Sequence, residues 1–162
     1  MIVNTRPIDL SQKTNSLLQK SQCSFIHLPL TKIIKITPSA QAKQNINNIR
    51  NYDLLIFTSQ SAVIYGVEHC LEILLRNKKI PILAIGLATQ KSLSQLNLIS
   101  SIPQTFDSDG LAFTIKERGC KKCLVFCGQK NPRLISLTDA DIDTFACYCL
   151  LYTSPSPRDR VQ

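Results

Sequence analysis

Short apolar runs rich in Ile, Val and Leu alternate along this chain with longer polar stretches of helical periodicity. Strands buried on both faces of a parallel sheet read as continuous apolar runs, and helical crossovers join them. The pattern therefore predicts an α/β protein. Strands are predicted at Ile2–Asn4, Ser24–Leu28, Ile33–Ile36, Asp53–Phe57, Ile80–Ile85, Lys122–Phe126 and Asp143–Tyr148. Helices are predicted at Leu10–Lys20, Ala40–Asn48, Ser61–Arg76, Thr89–Leu96 and Leu111–Glu117.

Length and composition exclude several classes of protein. The chain has 162 residues, of which 44% are hydrophobic and 19% charged, as expected for a globular protein and not for a disordered one. No apolar run reaches the roughly 20 residues that a membrane span requires. The N-terminus MIVNTRP lacks the charged and then apolar order of a signal peptide. We therefore expect a cytoplasmic location and no membrane partner.

The seven cysteines do not indicate a disulfide framework, because their number is odd and no export signal is present. Cys23, Cys123 and Cys127 lie in apolar runs, where reduced and buried thiols are expected. The spacing of Cys120, Cys123 and Cys127 superficially suggests a metal site. No fourth ligand has paired spacing, so no metal is expected. His27 is expected to be a strand residue with a satisfied ring and His69 an exposed helix residue, so neither is a candidate base.

The formal net charge of +8 could attract nucleic acid, a membrane surface or a small polyanion. The basic residues are scattered and aromatics make up only 6%, so no basic stripe or base-stacking platform is visible. Nucleic acid is therefore not an expected partner. The chain also lacks the glycine-rich motifs of dinucleotide-binding and P-loop proteins and the GxSxG of serine hydrolases.

The chain departs from the α/β pattern after Tyr148. Cys149–Asp159 reads CLLYTSPSPRD, with alternating Ser and Pro. The same amino-acid sequence results from translating the DNA of a transposon end used in sequencing libraries, together with the adapter that follows it. We therefore expect residues 149–162 to be a non-native tail.

A set of ordered segments resembles uroporphyrinogen-III synthases. YDLLIFTSQSAV, from Tyr52 to Val63, is similar to the family's buried strand that ends in Thr-Ser and leads into a helix. The other segments follow in the family's order: VNTRP from Val3, LPL from Leu28, AIGLAT from Ala84, DSDGL from Asp107, and VFCG from Val125 with Arg133-Leu134. Gln60, Ser61 and Cys127 depart from the commoner family residues.

The resemblance implies two α/β lobes with parallel sheets flanked by helices, the second lobe being inserted into the first. It implies that residues 1–30 are the first part of lobe one and that residues 31–38 are an inter-lobe connector. The extended stretch Leu30–Pro38, with Pro29 and Pro38 around it, suits such a connector. Residues 39–148 would form a nearly complete lobe two with the start of the return connector. Lobe one would be partial, so the chain by itself is expected to be inactive or nearly so.

The activity implied by the resemblance is the cyclisation of hydroxymethylbilane, a linear polycarboxylate, to uroporphyrinogen III. Water is lost and ring D is inverted, in heme and tetrapyrrole biosynthesis. Such a hydro-lyase needs no metal or organic cofactor, because the reactive azafulvene comes from the pyrroles. The resemblance also implies a monomer at full length. The alternative is a non-catalytic α/β module that binds a small ligand for regulation.

Tyr148 is the catalytic candidate, since it matches the tyrosine proposed in the family to donate a proton to the leaving hydroxyl. Its alternative is a strand tyrosine that packs at a lobe edge. Strand ends and helix N-termini suit the substrate carboxylates. The candidates for substrate binding are Thr58, Ser59, Thr89, Arg6, Gly86, Gly110, Gly128 and Arg133, with Lys130 as a further possible clamp.

Each binding candidate also has an ordinary structural interpretation. The threonines and Ser59 could cap helices. Arg6 could brace its own turn, and Arg133 could be a solvated helix residue. The glycines could meet a need for positive φ in turns.

Overall fold

The structure is a computed structural model that describes residues 1–77, 79–129 and 132–152. The strands are β1 (Ile2–Asn4), β2 (Phe25–His27), β3 (Thr31–Lys35), β4 (Leu54–Phe57), β5 (Ile82–Ala84), β6 (Lys122–Gly128) and β7 (Asp141–Tyr152). The helices are α1 (Ile8–Lys20), α2 (Ala40–Asn47), α3 (Gln60–Gly66), α4 (Leu71–Arg76), α5 (Leu87–Ser94) and α6 (Ser108–Glu117). The α/β class predicted from the apolar runs is confirmed.

The chain divides into two compact units. The first comprises Met1–Ile34 with the described residues after Tyr148, and the second is Lys35–Tyr148. In the first unit β1 and β2 pair in parallel, and Asn4 Nδ2 donates to Asn15 Oδ1 of α1 at 2.7 Å. The ring of His27 donates from Nε2 to the Arg6 carbonyl at 3.0 Å, as expected for a satisfied strand histidine.

The second unit is built on a sheet with the order β7-β6-β4-β5. The pairs β4–β5, β4–β6 and β6–β7 are all parallel. On the β7 side the sheet continues to the end of β3, where the Ile36 N–H donates to the Cys147 carbonyl at 3.1 Å. The register between β6 and β7 shifts once, so that Cys127 lies opposite Ala146 and Gly128 lies opposite Tyr148.

Both faces of this sheet are buried. The first face packs under α2, α3, α4 and α5 in a cluster that includes Leu55, Phe57, Leu124, Phe126, Phe145 and Cys147. The second face packs under α6 in a cluster that includes Leu54, Ile56, Cys123, Val125 and Cys127. Because side chains alternate between the faces of a strand, double burial explains why β4 and β6 read as unbroken apolar runs.

The single helix predicted at Ser61–Arg76 is wrong. The structure has α3, a 3₁₀ turn at Val67–His69 and then α4. Gly66, among the weakest helix formers, ends α3. The 3₁₀ turn that follows buries both Val67 and Cys70 against the first face of the sheet, and short 3₁₀ segments of this kind are frequent at the ends of α-helices.

Three smaller expectations need correction. Cys23 is exposed, because it lies in the turn between α1 and β2 just after Gln22, which has a positive φ of 53°. His69 is half-buried in the 3₁₀ turn, with its ring 5.3 Å from that of Phe145. Strand β7 runs to Tyr152, beyond the predicted end at Tyr148, since CLLY from Cys149 is an apolar run that a strand accommodates. The remaining residues of the predicted tail lie outside the described residues.

Buried thiols are a feature of the second unit. Burial raises the pKa of Cys70, Cys123 and Cys147 to about 12 and that of Cys127 to about 11, so these thiols stay neutral at ordinary pH. In the described ranges no three His, Cys, Asp or Glu residues are grouped as metal ligands would be. None of the helices described has the length and apolar character to cross a bilayer.

Candidate active site

Polar and glycine residues meet at the carboxyl edge of the parallel sheet, where open α/β sheets place their ligands. Thr58 and Ser59 follow β4, Gly86 follows β5, Gly128 ends β6, and Tyr148 lies opposite Gly128 on β7. The strand order arranges them along the edge from Tyr148 through Gly128 and Ser59 to Gly86. The structure thus brings together five of the residues predicted from sequence, and we call them the carboxyl-edge site.

A hydrogen bond links the candidate catalytic tyrosine to the strand-end serine. The Tyr148 hydroxyl lies 3.1 Å from Ser59 Oγ, although the two residues are 89 positions apart in the chain. Both side chains are half-buried, so the pair is held by the protein and still reaches its surface. The alternative for Tyr148 was a strand tyrosine that only packs at a lobe edge. The structure adds a hydrogen bond to that packing.

Ser59 also caps α3. Its Oγ accepts a hydrogen bond from the Ala62 N–H at 3.0 Å, so the capping interpretation of this residue is correct. Because one lone pair of Oγ is used by Ala62, the Ser59 proton is free to be donated towards the Tyr148 oxygen. The cap fixes the position of the serine, and the serine in turn fixes the phenol.

Thr58 does not present a free donor to a ligand. Its N–H and its Oγ1–H both donate to the Phe126 carbonyl, at 3.1 and 3.0 Å. The hydroxyl proton that was expected to bind a substrate carboxylate is thus committed to joining the ends of β4 and β6. Thr58 acts in the structure as a clamp beneath the site.

The start of α5 differs from both expectations for Thr89. Gly86, and not Thr89, is the N-cap, and Thr89 is only 3% exposed. The cap has no side-chain hydrogen bond, so no N-cap side chain satisfies the first N–H groups of α5. Gly86 has an extended backbone with φ of −173°, so positive φ does not explain this glycine.

Phe106 was not predicted as a site residue. It is 54% exposed and lies beside Gly86, where a Cβ would be 3.4 Å from two of its atoms. An exposed aromatic ring next to polar groups can stack on a heteroaromatic ligand. Its signal in the sequence is a lone Phe in the polar stretch SIPQTFDSDG, which periodicity does not distinguish from an ordinary loop residue.

Gly110 and Arg133 have structural explanations. The Gly110 N–H donates to Asp107 Oδ1, the N-cap of α6, at 2.8 Å. This bond and the Thr105 hydroxyl hold the pKa of Asp107 below its usual value. A Cβ on Gly110 would lie 2.1 Å from the Thr105 carbonyl oxygen, so only glycine fits there. Arg133 is exposed, as expected for a solvated residue, and its Nη2 lies 3.6 Å from Asp109 Oδ1.

Arg6 lies in the first unit, where its Nη1 donates to Thr14 Oγ1 at 3.3 Å, as expected for an arginine that braces its own turn. Lys130 lies outside the described residues.

Comparison with protein families identifies a match over residues 12–156 to the family described as uroporphyrinogen-III synthase HemD. The chain belongs to the uroporphyrinogen-III synthase family. The match begins within α1 and takes in both sheet edges of the second unit. It also extends into the segment for which a non-native origin is predicted, and that origin stays a prediction.

Solved structures of the family share the fold. A mutant uroporphyrinogen III synthase from the extremely thermophilic bacterium Thermus thermophilus has a TM-score of 0.67 and 15% identity, over 98% of this chain and 64% of that chain. A second structure of Thermus thermophilus uroporphyrinogen III synthase gives 0.56 and 16%, over 98% and 64%. The synthetase from Helicobacter pylori 26695 gives 0.50 and 16%, over 83% and 60%. The chain thus spans less than two thirds of these proteins, and no curated protein sequence matches it.

Proposed function

We propose that this chain is the larger part of an enzyme that cyclises hydroxymethylbilane to uroporphyrinogen III, with loss of water and inversion of ring D. The observation that carries the proposal is the hydrogen bond between Tyr148 and Ser59 at the carboxyl edge of a family sheet. It places a phenol, held by a capped serine, where open α/β sheets bind ligands.

In the proposed reaction Tyr148 donates its proton to the hydroxymethyl oxygen of the substrate. The C–O bond breaks, water leaves, and the electron pair of the pyrrole nitrogen forms the azafulvenium cation, which is the azafulvene with its N–H proton retained. Negative charge grows on the phenol oxygen as its proton departs. Because Ser59 Oγ already accepts from Ala62, its own proton can be donated to that oxygen and stabilise the charge. General acid catalysis of this kind contributes roughly 10²–10⁴-fold.

The carboxylates of the substrate need hydrogen-bond donors other than the groups that take part in the reaction. The uncapped N-terminus of α5 offers backbone N–H groups beside Gly86. Phe106 lies next to them and provides a ring face for a pyrrole. The net charge of +8 favours the binding of a polyanionic substrate.

The lyase chemistry draws its reactivity from the pyrroles, so the proposed enzyme needs no metal and no organic cofactor. We also propose a cytoplasmic location and a monomeric state for the full-length protein. Since the chain spans 64% of the Thermus proteins, the proposal includes that this chain alone is inactive or nearly so. Hydroxymethylbilane must be held from more sides than the carboxyl-edge site covers.

The test is a coupled assay on a protein that carries this sequence at the full length of its structural relatives. Hydroxymethylbilane is generated from porphobilinogen by hydroxymethylbilane synthase, and the oxidised uroporphyrin isomers are separated. We expect isomer III, and we expect Tyr148→Phe to lower its rate of formation by about 10²-fold or more. Tyr65→Phe is the matched control, because Tyr65 packs against the first-face cluster and is not a residue of the carboxyl-edge site. Formation of isomer I alone, as in the spontaneous reaction, would refute the proposal.

A further inference from the structure

Gly128 and Tyr148 are placed opposite each other by an extra residue in β7. Cys127 lies opposite Ala146 and Gly128 lies opposite Tyr148, so Cys147 has no counterpart on β6 and forms a β-bulge. The bulge has its own contacts. The Cys147 carbonyl accepts from the Ile36 N–H at 3.1 Å, and its thiol donates to the Phe145 carbonyl at 3.2 Å.

The bulge changes the face to which Tyr148 points. Phe145 and Cys147 pack in the first-face cluster, and Ile142 packs against the second-face cluster. Regular alternation from Ile142 would carry Tyr148, an even number of residues further on, to the second face as well. Tyr148 instead packs against the first-face cluster, the one that α3 covers. The extra residue therefore turns the phenol towards Ser59, at the start of α3.

The missing side chain of Gly128 leaves room for the phenol. Strand β6 lies between β7 and β4, so Tyr148 must cross β6 to reach Ser59 after β4. A Cβ on Gly128 would lie 3.3 Å from Cε2 and from Cζ of the Tyr148 ring, and 3.5 Å from its hydroxyl. The further atoms of a larger side chain would therefore compete with the ring for the same space.

Backbone conformation gives no separate reason for a glycine here. The described glycine with positive φ is Gly119, at 63°, and not Gly128. Glycine within a strand is destabilising relative to alanine, and strand glycines often mark a close approach of another group. The group that approaches Gly128 is the Tyr148 ring.

We infer that Gly128 is a positioning residue, which together with the Cys147 bulge lets Tyr148 cross β6 and bind Ser59. The consequence for catalysis rests on the proposed function, in which Tyr148 is the proton donor. The placement of the phenol itself does not depend on that function, so the two can be tested separately.

The test follows the hydroxyl-bearing carbon of tyrosine by ¹³C NMR in this chain. The four tyrosines give four signals, and Tyr148→Phe identifies the one from Tyr148. Ser59→Ala removes the hydrogen bond and defines the shift that its loss produces. Gly128→Val should move the Tyr148 signal in the same direction by a comparable amount, and Gly128→Ala by a smaller one. Gly86→Ala adds a methyl group at the same edge of the sheet, after β5 and two strands away from β6, and should leave the signal in place.

A second readout separates crowding by the ring from general damage to the strand. Valine has a high strand propensity. In a Tyr148→Ala background, which lacks the ring, Gly128→Val should therefore raise the urea midpoint of unfolding. When the ring is present, the same substitution should lower that midpoint. The inference is overturned if the Tyr148 signal stays in place in both Gly128 variants while Ser59→Ala moves it. It is equally overturned if Ser59→Ala moves nothing, because the bond would then be absent in solution.

The proposed catalytic role of Tyr148 fails by a different result, and the proposed synthase activity itself fails only if the full-length protein forms isomer I alone. If the NMR shifts follow the expectation but the full-length Tyr148→Phe protein still forms isomer III at the original rate, Tyr148 is not the proton donor. Gly128 would then still position the phenol, and the role of the phenol would be the part to revise.

Discussion

The two edges of the central sheet both join neighbouring strands through polar side chains, but they do so differently. At the amino edge Asp53 Oδ2 accepts from the N–H groups of Lys121 and Lys122 at 2.8 and 2.9 Å. The Tyr52 hydroxyl donates to Asp143 Oδ2 at 2.7 Å, and Lys122 Nζ lies 3.7 Å from the same oxygen. Charged groups there neutralise one another.

At the carboxyl edge the groups are uncharged hydroxyls, glycines and helix N–H groups. Ser59 and Tyr148 bind each other and still reach the surface, and the start of α5 has no side-chain cap. The polar groups described at the amino edge are thus paired with one another, whereas the carboxyl edge keeps hydrogen-bonding capacity that a ligand can use. We therefore expect the hydrogen bonds of the amino edge to be structural only, and the Ser59–Tyr148 bond of the carboxyl edge to serve the proposed reaction as well as the structure.

The largest effect on stability is expected beneath the carboxyl edge. Gly66→Ala would place a Cβ 2.8 Å from Phe126 Cδ1 and 2.9 Å from Cys147 Sγ. Overpacking of this kind should lower the free energy of unfolding by about 1–3 kcal/mol, measured by urea denaturation. Ile64→Ala, at an exposed position on the same helix, is the control and should change it by roughly 0.5 kcal/mol or less. If Gly66→Ala is neutral, the packing beneath the site is looser than described.

A matched pair of substitutions tests whether stability and function separate between the edges. Ser59→Ala removes the cap of α3 and should cost about 1 kcal/mol. Asp53→Asn keeps an acceptor for Lys121 and Lys122 but removes the charge, and should cost less than about 1 kcal/mol at this exposed position. Only Ser59→Ala should move the Tyr148 NMR signal and slow the full-length enzyme. An equal loss of activity in both variants would contradict the division between the edges.

The amino edge should also give an acid-dependent contribution to stability. The N–H groups of Lys122 and Lys121 lower the pKa of Asp53 below its ordinary value of 3.8. The folded pKa lies below the unfolded one, so this stabilisation is fully present above the unfolded value and is lost as pH falls through the folded value. Urea midpoints of the wild type and Asp53→Asn should therefore converge as pH falls from about 5 towards about 3. A gap that stays constant over this range would exclude the carboxylate as its source.

Sequence patterns predicted the strands better than the site. The seven strands of the described residues were located, because runs such as LLIF in β4 and LVFC in β6 are buried on both faces and lack the periodicity of an amphipathic helix. The break at Val67–His69 was missed, since it depends on how closely Gly66 approaches the sheet. Local periodicity carries no information about that distance.

The site residues show the same limit. Family resemblance indicated Ser59 and Tyr148 separately, but their contact depends on a register shift that one strand's sequence cannot reveal. Thr58 and Thr89 have similar positions after their strands, and yet one hydroxyl binds a carbonyl and the other is buried. The direction of a side chain at a strand end is set by its neighbours in space, which the sequence of that segment does not contain.

The smallest effect should come from Tyr52→Phe at the amino edge, at about 0.5 kcal/mol near neutral pH, because Asp143 keeps Lys122 and is partly solvated. Burial, followed by the hydrogen bond to Asp143, raises the pKa of Tyr52 above its ordinary value of 10.0. A raised folded pKa contributes stability that is present below the unfolded value and is lost as pH rises above it. The wild type should therefore lose its advantage over Tyr52→Phe between about pH 9 and about pH 11 in urea unfolding experiments. The buried thiols titrate identically in both proteins, so they cancel in this difference. An advantage that persists above about pH 11 would exclude the protonated Tyr52 hydroxyl as its source.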